Sequence, residues 1–502
     1  MICLEDAAWS AEIADAAGRK LRQWDIEGLP SQLRRNSLDY YYLSVWPGLA
    51  ALDLAADITL PPRPARTEYA YVHIPFCSGL CNFCSYFLTV SRDAGADPRV
   101  RRYLSELIAQ ASIHQRDTDL RLSYIYFGGG TPSLLHPDQL EHLLAGFAGL
   151  GILSPQLIGT MELHPEAFGD SSRMNALLDV LDAYGIKRVS LGFQTDDTEI
   201  LRATNRRHGA EFLAEAVGRL RSRKITINID LMYGLPGQTL ESWLQSIGIV
   251  LALRPDSIST YFTFIDRGTS LWRQVKRKPA LLTSHAQAQL QHIAAQLALE
   301  GAGYAELPND FYSIPADDPA CYVQETLPSD ANTLALGAGA YGYYPGVQYF
   351  NQFNFERYSE MVRNREIPIW RAAALTPQEE LCRDIMFSLK NSPALNVRLF
   401  EAKHGVSPAD AHAATFAQLT DLELVRVRPE EIRLSTKGRL VVEEIACMFA
   451  PPRRGVAGPA SRQEAALVQK HNFVPTYSIA RAGGKHGGSG IKAGARPGGG
   501  TA

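Results

Sequence analysis

The feature that most constrains the fold is a repeated alternation of strand-like apolar runs and helix-like segments, beginning near residue 66. This alternation indicates parallel βα units, because each strand reaches its parallel neighbour through a helix. Six strands are predicted at residues 68–76, 122–127, 157–163, 186–193, 225–232 and 257–264. Six units rather than eight predict an α/β fold with an incomplete, TIM-like (β/α)6 barrel that is open on one side.

The same pattern divides the chain into four segments. Residues 1–65 contain one helix-like stretch and form an N-terminal arm, which either crosses the barrel mouth or, as we favour, packs against the barrel. The barrel is expected over residues 66–365, and a smaller, mainly helical, winged-helix-like domain that covers the substrate over residues 366–450. Residues 451–502 hold eleven glycines and eight basic residues against the single acid Glu464, so this tail is predicted to be disordered.

Composition excludes several classes of protein. The chain is 46% hydrophobic and 21% charged, as soluble globular proteins are, and its net charge of -3 does not indicate nucleic-acid binding. The sequence contains no run of eighteen apolar residues, so no membrane span is predicted. The first residues do not resemble a secretory signal. Seven cysteines are an odd number, which argues against a disulfide framework. We therefore expect a cytoplasmic protein with reduced thiols.

Three cysteines follow the first predicted strand with the spacing C-x3-C-x2-C, at Cys77, Cys81 and Cys84. Three thiolates on one short loop can hold three irons of a 4Fe-4S cluster and leave the fourth iron open for a substrate or cofactor. A structural zinc site would normally supply four ligands, often as two C-x2-C pairs, and the sequence has no second pair. The other four cysteines are expected to be small buried residues, and Cys321 is the one to check as a further ligand.

Polar or glycine-rich segments follow the predicted strands at their carboxyl ends. They are GGGTP at 128–132, ELHPE at 162–166, GFQ at 192–194 and YGLPG at 233–237. The carboxyl ends of the strands in a β/α barrel meet on one face, where active sites are built. These segments and the cysteine loop therefore predict a single site, in which the glycines allow the backbone to approach a ligand closely.

Together these motifs resemble radical SAM enzymes of the oxygen-independent coproporphyrinogen III oxidase type, over roughly residues 66–450. The matching segments are YVHIPFC at 71–77 with the two later cysteines, GGGTP, SLGFQ at 190–194, NIDLMYGLPGQT at 228–239 and LGAGAYG at 336–342. The resemblance implies a 4Fe-4S cluster that cleaves S-adenosylmethionine reductively to a 5'-deoxyadenosyl radical. It also implies a small-molecule substrate and an electron donor such as flavodoxin or ferredoxin.

The resemblance further implies which residues contact the cofactors. Positions matching contacts to a first S-adenosylmethionine are Tyr71, Gly129 and Glu162. Positions matching contacts to a second S-adenosylmethionine are Phe83, Gly130, Thr131, Gln194, Arg206 and Asp230. Glu162 and Asp230 can accept hydrogen bonds from ribose or amino groups of the cofactor, and Arg206 can bind the cofactor's carboxylate through two parallel hydrogen bonds. Helix capping or ion pairing is the structural alternative for each, and for the two carboxylates we favour cofactor binding.

Two positions depart from the family pattern. The oxidase has a further cysteine two residues after its third cluster cysteine, where this chain has Tyr86, and the haem chaperone usually has a histidine where this chain has Tyr341. These departures favour the related class C methyltransferases and cyclopropanases, in which a second S-adenosylmethionine donates a methyl or methylene group to an sp2 carbon of a specialised metabolite. The alternatives are coproporphyrinogen III oxidase-type decarboxylation or other tetrapyrrole chemistry, and a haem-binding chaperone. No residue is assigned to proton transfer.

Overall fold

The computed structural model describes residues 7–33, 52–55, 64, 66–206, 209–265, 269–307, 310–314 and 332–451. Cys3, Cys321, most of the predicted N-terminal arm after residue 33 and the predicted tail beyond Pro451 lie outside these described residues.

Six parallel strands form the centre of the molecule. In spatial and sequence order they are β2 (Arg66–Ile74), β5 (Asp119–Gly129), β6 (Leu153–Leu163), β7 (Ile186–Gln194), β8 (Thr226–Tyr233) and β9 (Ser257–Phe262). Along β2, the outward residues Ala70 and Val72 are buried, whereas Tyr69 and Tyr71 face the inside of the curved sheet. The predicted set of six parallel βα units is confirmed.

Short strands extend this sheet on both sides. On one side, β12 (Thr333–Leu336) pairs in parallel with β2, and is followed by antiparallel β13 (Tyr341–Tyr344), β14 (Val347–Asn351), β15 (Ile369–Ala374) and β1 (Asp53–Leu54). On the other side, β11 (Phe311–Ser313) and β10 (Ala305–Leu307) add to β9. No described strand joins the two edges, so the sheet is open. The sheet continues to Ala374, past residue 365, where the barrel is expected to end.

Helices connect and cover the strands. They are α1 (Ala7–Gln23), α2 (Pro98–Asp117), α3 (Pro137–Gly149), α4 (Ser171–Ala183), α5 (Thr198–Ala203), α6 (Ala210–Ser222), α7 (Leu240–Leu253), α8 (Ser270–Arg277), α9 (His285–Gly301) and α10 (Phe355–Arg363). Helix α1 packs against α9 and fully buries Ala17, so it belongs to the main core. None of the described helices is both long and apolar enough to cross a bilayer.

A smaller, mainly helical unit follows the sheet. Its helices are α11 (Pro377–Asn391), α12 (Val397–His404), α13 (Pro408–Ala411), α14 (Ala413–Asp421), α15 (Thr436–Arg439) and α16 (Val442–Met448). Its antiparallel strands lie in the order β16 (Leu395–Asn396), β18 (Glu431–Leu434) and β17 (Val425–Val427). The expected smaller, mainly helical C-terminal region is confirmed. A fully buried ion pair, Lys390 Nζ to Glu443 Oε1 at 2.8 Å, joins α11 to α16.

Candidate active site

The cysteine loop folds back on the strand that precedes it. β3 (Phe76–Cys77) pairs in parallel with β4 (Thr89–Val90), and the Ser91 amide donates to the Cys77 carbonyl over 2.9 Å. The loop tip, residues 78–80, is exposed, and none of the three loop cysteines forms a disulfide bond. Cys382 and Cys447 instead lie in the core of the smaller unit, as expected for structural residues.

The spacing of the three sulfur atoms suits a cluster better than a single ion. Thiolates 2.3 Å from one zinc lie about 3.8 Å apart. The loop sulfurs do not converge within 4.8 Å of one another, and among the described residues the group that does is His292, Glu306 and Asp310, away from the loop. Wider spacing is what three ligands to three different irons require. Burial raises the pKa of the Cys77 thiol to about 11, so a bound metal centre is needed to keep this residue as a thiolate.

The glycine loop after β5 lies directly against the cysteine loop. The Gly130 amide donates to the Ile74 carbonyl over 2.8 Å, and the Thr131 amide donates to the Phe76 carbonyl over 2.8 Å. A Cβ atom on Gly130 would lie 2.6 Å from the Phe76 carbonyl oxygen, so no larger residue fits. The Thr131 hydroxyl lies 3.3 Å from the Cys77 sulfur and can donate to it when it is a thiolate.

Glu162 at the end of β6 faces the same space. Its Oε1 accepts from the Tyr126 hydroxyl at 2.9 Å, and its Oε2 accepts from the Gly129 amide at 3.3 Å. Burial raises the pKa of Glu162 to about 7; the Tyr126 hydrogen bond opposes this shift, while the charge of Asp230 adds to it. The carboxylate is thus fixed in position and ready to accept a donor or cation from a ligand.

Asp230 and Gln194 form a second polar group on β7 and β8. Asp230 accepts from the Ser190 hydroxyl at 2.9 Å and from the Asn228 amide group at 2.8 Å, which hold both of its oxygens. Gln194 has a left-handed backbone, with φ at 73°, and its buried Oε1 accepts no hydrogen bond from the described residues. A strained backbone and an unsatisfied buried oxygen are features that occur at ligand sites.

Arg206 lies between this polar group and the cysteine loop. Its guanidinium donates to the Gly192 carbonyl, and Nη1 lies 3.7 Å from the Cys81 sulfur. Phe83, also on the loop, packs against Leu271 and its neighbours on α8. The arginine therefore places a positive charge beside a predicted cluster ligand.

Tyr71 is held on β2 by a buried histidine. The Tyr71 hydroxyl lies 3.0 Å from His73 Nδ1, and His73 Nε2 donates to the Phe87 carbonyl over 2.9 Å. Because Nε2 donates, Nδ1 accepts from the tyrosine, and burial lowers the pKa of His73 to about 4. The neutral imidazole thus fixes both Tyr71 and the segment after the cysteine loop.

All twelve predicted site residues line one cavity of about 830 Å³. From the cysteine loop it runs along the inside of the sheet, past Tyr69 and Tyr124, whose rings stack at 4.7 Å. At its far end lie Arg383 and Lys390 of α11, so the smaller unit forms part of the wall. The structure therefore brings together every residue proposed from the sequence; their roles as cofactor contacts stay predictions.

Sequence reasoning did not assign Tyr126, His73, Arg383 or Lys390. The first two could have been found from the two-residue period of a strand. Tyr126 lies two residues after Tyr124 in β5, and His73 lies two residues after Tyr71 in β2, so each pair shares one face of its strand. Nothing local marks Arg383 and Lys390, which reach the cavity through the packing of a separate unit.

Comparison with known proteins identifies the family of this chain. Residues 71–248 match the family model described as the radical SAM superfamily. Oxygen-independent coproporphyrinogen III oxidase from Salmonella typhimurium is 30% identical over 407 residues, which are 77% of this chain and 86% of the oxidase. The chain belongs to the coproporphyrinogen III oxidase-like family of radical SAM proteins. Membership implies a 4Fe-4S cluster and S-adenosylmethionine.

Two further relatives refine the position of this radical SAM protein. The structure of coproporphyrinogen III oxidase (HemN) from Escherichia coli aligns with a TM-score of 0.68 and 27% identity, and the match covers 81% of this chain and 96% of that one. The heme chaperone HemW from Lactococcus lactis is 27% identical over 381 residues, 74% of this chain and 94% of the chaperone. These relatives do not support the expected methyl transfer to a specialised metabolite; they favour the oxidase and chaperone alternatives.

Proposed function

We propose that this radical SAM protein carries out an oxygen-independent oxidation of a carboxylate-bearing tetrapyrrole, in the manner of coproporphyrinogen III oxidase. The observation that carries the proposal is the single cavity of about 830 Å³ that links the three thiols to Glu162 and Asp230 and ends at Arg383 and Lys390. Small-molecule sites span about 300–1,000 Å³, so this cavity is large enough for a bulky ring substrate beside a cofactor. The relationship to the Salmonella oxidase supports the same chemistry.

The cluster and S-adenosylmethionine, when bound, supply a 5'-deoxyadenosyl radical that abstracts hydrogen. In the proposed reaction a propionate side chain gives up one hydrogen atom, loses its carboxylate as carbon dioxide and passes one electron to a one-electron acceptor. A vinyl group remains, so atoms and electrons balance.

The chain's own residues provide binding, orientation and exclusion of water. Glu162, fixed by Tyr126 and the Gly129 amide, is suited to accept hydrogen bonds from an amino group or ribose hydroxyls. Arg206 is suited to bind a carboxylate beside the cysteine loop. Tyr71 stacks with Tyr126 and Tyr341 at 6.2 and 6.0 Å between ring centroids, and these rings shield the radical chemistry from water.

A second candidate is transfer of a methyl or methylene group from a second S-adenosylmethionine. Two observations favour it: Tyr86 lines the cavity, with 57% of its surface exposed, where the oxidase has a cysteine, and the group of Gln194, Arg206 and Asp230 forms a second polar site. The comparisons give this candidate no support, and we rank it after the oxidase-type reaction.

Anaerobic reconstitution with iron and sulfide, followed by incubation with methyl-labelled S-adenosylmethionine, coproporphyrinogen III and a reductant, tests these candidates. Carbon dioxide and a vinyl product support the oxidase-type proposal. Label in the product, without loss of carbon dioxide, supports group transfer instead. Uptake of haem with no 5'-deoxyadenosine formed would indicate a chaperone and contradict the proposal. Cys81→Ala is the control that removes one predicted cluster ligand.

A further inference from the structure

Helix α8 has a basic face on the surface of the molecule. Its residues Leu271 and Val275 are buried, one turn apart, on the side that faces the protein. Arg273, Lys276 and Arg277 are exposed and lie within about 100° of one another around the helix axis. Lys278, also exposed, follows directly, so four cations occupy this surface and no acidic residue occurs between residues 269 and 278.

These four cations take part neither in ion pairs with acidic side chains within the described residues nor in the lining of the cavity. Lys276 Nζ lies 4.9 Å from the centre of the Trp272 ring. This contact does not neutralise the ammonium group, so its positive charge stays at the surface. The chain as a whole is acidic, with a net charge of -3, so an unpaired cluster of positive charges is a local exception.

Helix α8 is attached directly to the cysteine loop. The Leu271 amide donates to the carbonyl of Asn82, which lies between two of the cysteines, over 2.8 Å. Phe83, the next residue of the loop, packs into the cluster of Ile265, Leu271 and Val275. The tip of the cysteine loop, residues 78–80, is exposed and lies shortly before Asn82 in the sequence. A protein that binds to the basic face is therefore separated from the cysteine loop by the thickness of one helix, about 10 Å.

We propose that the basic face of α8 is the docking surface for an acidic one-electron carrier protein that reduces the cluster. The inference rests on the proposed function, because reductive cleavage of S-adenosylmethionine requires one electron per event. One electron leaves the carrier and enters the cluster, and no covalent bond forms between the two proteins. Opposite charges steer such encounters and raise association rates by about 10- to 1,000-fold, an effect that salt screens. Electron-transfer complexes are small and transient, so four surface cations form a substantial part of one.

The test uses full-length, reconstituted protein and an acidic flavodoxin as the probe. The variant Arg273→Gln/Lys276→Gln/Arg277→Gln is compared with a control that removes the same charge from the smaller unit, Arg398→Gln/Arg426→Gln/Arg428→Gln. The control residues are exposed and belong to the region around β17 and α12. We expect the α8 variant to bind flavodoxin about tenfold more weakly at low ionic strength, with the difference lost at high ionic strength. The control variant should bind as the native protein does.

Zero-length carbodiimide cross-linking gives a second readout that does not depend on activity. We expect Lys276 and Lys278 to be joined to carboxylates of flavodoxin. Native-like binding by the α8 variant, salt-independent binding or no binding by the native protein would overturn the docking proposal. Formation of 5'-deoxyadenosine with dithionite, which needs no docking, should be equal in all three proteins; its absence would contradict the proposed function without bearing on the docking surface.

Discussion

Replacing Gly130 by alanine should disrupt the contact between the glycine loop and the cysteine loop. The added Cβ would lie 2.6 Å from the Phe76 carbonyl oxygen, 2.8 Å from the Ile74 carbonyl oxygen and 2.9 Å from the Phe76 amide nitrogen. All three are backbone atoms of the segment that leads into Cys77, so a rotamer change cannot relieve the clash. The loop has to move, and the bonds from Gly130 and Thr131 to this segment must lengthen or break.

The size of the effect follows from these contacts. Overpacking costs about 1–3 kcal/mol and each lost backbone hydrogen bond about 1 kcal/mol, so with one of the two bonds lost we expect Gly130→Ala to lower the free energy of unfolding by about 2–4 kcal/mol. We also expect the loop shift to reduce 5'-deoxyadenosine formation at least tenfold, since a 1 Å displacement in a site can have such an effect. Anaerobic urea denaturation and a single-turnover assay measure the two quantities.

Gly218→Ala is the matched control. Gly218 lies in the interior of α6, and a Cβ there would meet nothing within 4 Å. Alanine should stabilise the helix by about 0.5–1 kcal/mol, because it restricts the unfolded chain and favours the helix. If Gly130→Ala were as stable and as active as the Gly218→Ala control, the proposed packing of the two loops would be refuted.

Three other predictions concern charged residues of the cavity and of the core. Burial raises the pKa of Glu162 to about 7, from about 4.5 in the unfolded chain. The contribution of Glu162 to the free energy of unfolding of the metal-free protein is therefore full below pH 4.5 and is lost as the pH rises through 7. For this partly exposed group we expect a loss of about 1–2 kcal/mol over that range, which denaturation curves should show in the native protein and not in Glu162→Gln. Glu443→Gln leaves Lys390 buried without its ion-pair partner and should cost about 3–5 kcal/mol, whereas Lys390→Met/Glu443→Leu should be nearly neutral; equal losses in chemical denaturation would contradict this. Asp230→Asn tests the second S-adenosylmethionine site that the group-transfer candidate requires: such a site predicts that the variant lowers the binding stoichiometry from two to one in equilibrium dialysis while the cluster is retained, and an unchanged stoichiometry would argue against it.

The central sheet and the location of the site could be predicted because their signals are local. Each inner strand has its own apolar run, and the residues that follow it lie at its carboxyl end by geometry alone, which places Cys77, Gly129 and Glu162 together. The outer strands could not be predicted in the same way. Thr333 pairs with Tyr69, far away in sequence, and strands as short as β12 and β13 have no periodicity of their own.

The finer features of the site depend on packing between distant segments. The left-handed backbone of Gln194, the pairing of Lys390 with Glu443 and the bond from α8 to Asn82 follow from how the elements meet, not from any residue pattern. The same limit applies to the reaction. Tyr86 by itself favours group transfer, whereas the relatives of this chain include a coproporphyrinogen III oxidase and a heme chaperone.

The most direct test of the account is the cluster itself. Anaerobically reconstituted protein should contain about four irons and four sulfides per chain and should convert S-adenosylmethionine to 5'-deoxyadenosine and methionine when reduced. Cys81→Ala should form no 5'-deoxyadenosine and should lose most of its iron. Stoichiometric zinc in place of iron, or a complete cluster with no 5'-deoxyadenosine under reducing conditions, would contradict the account.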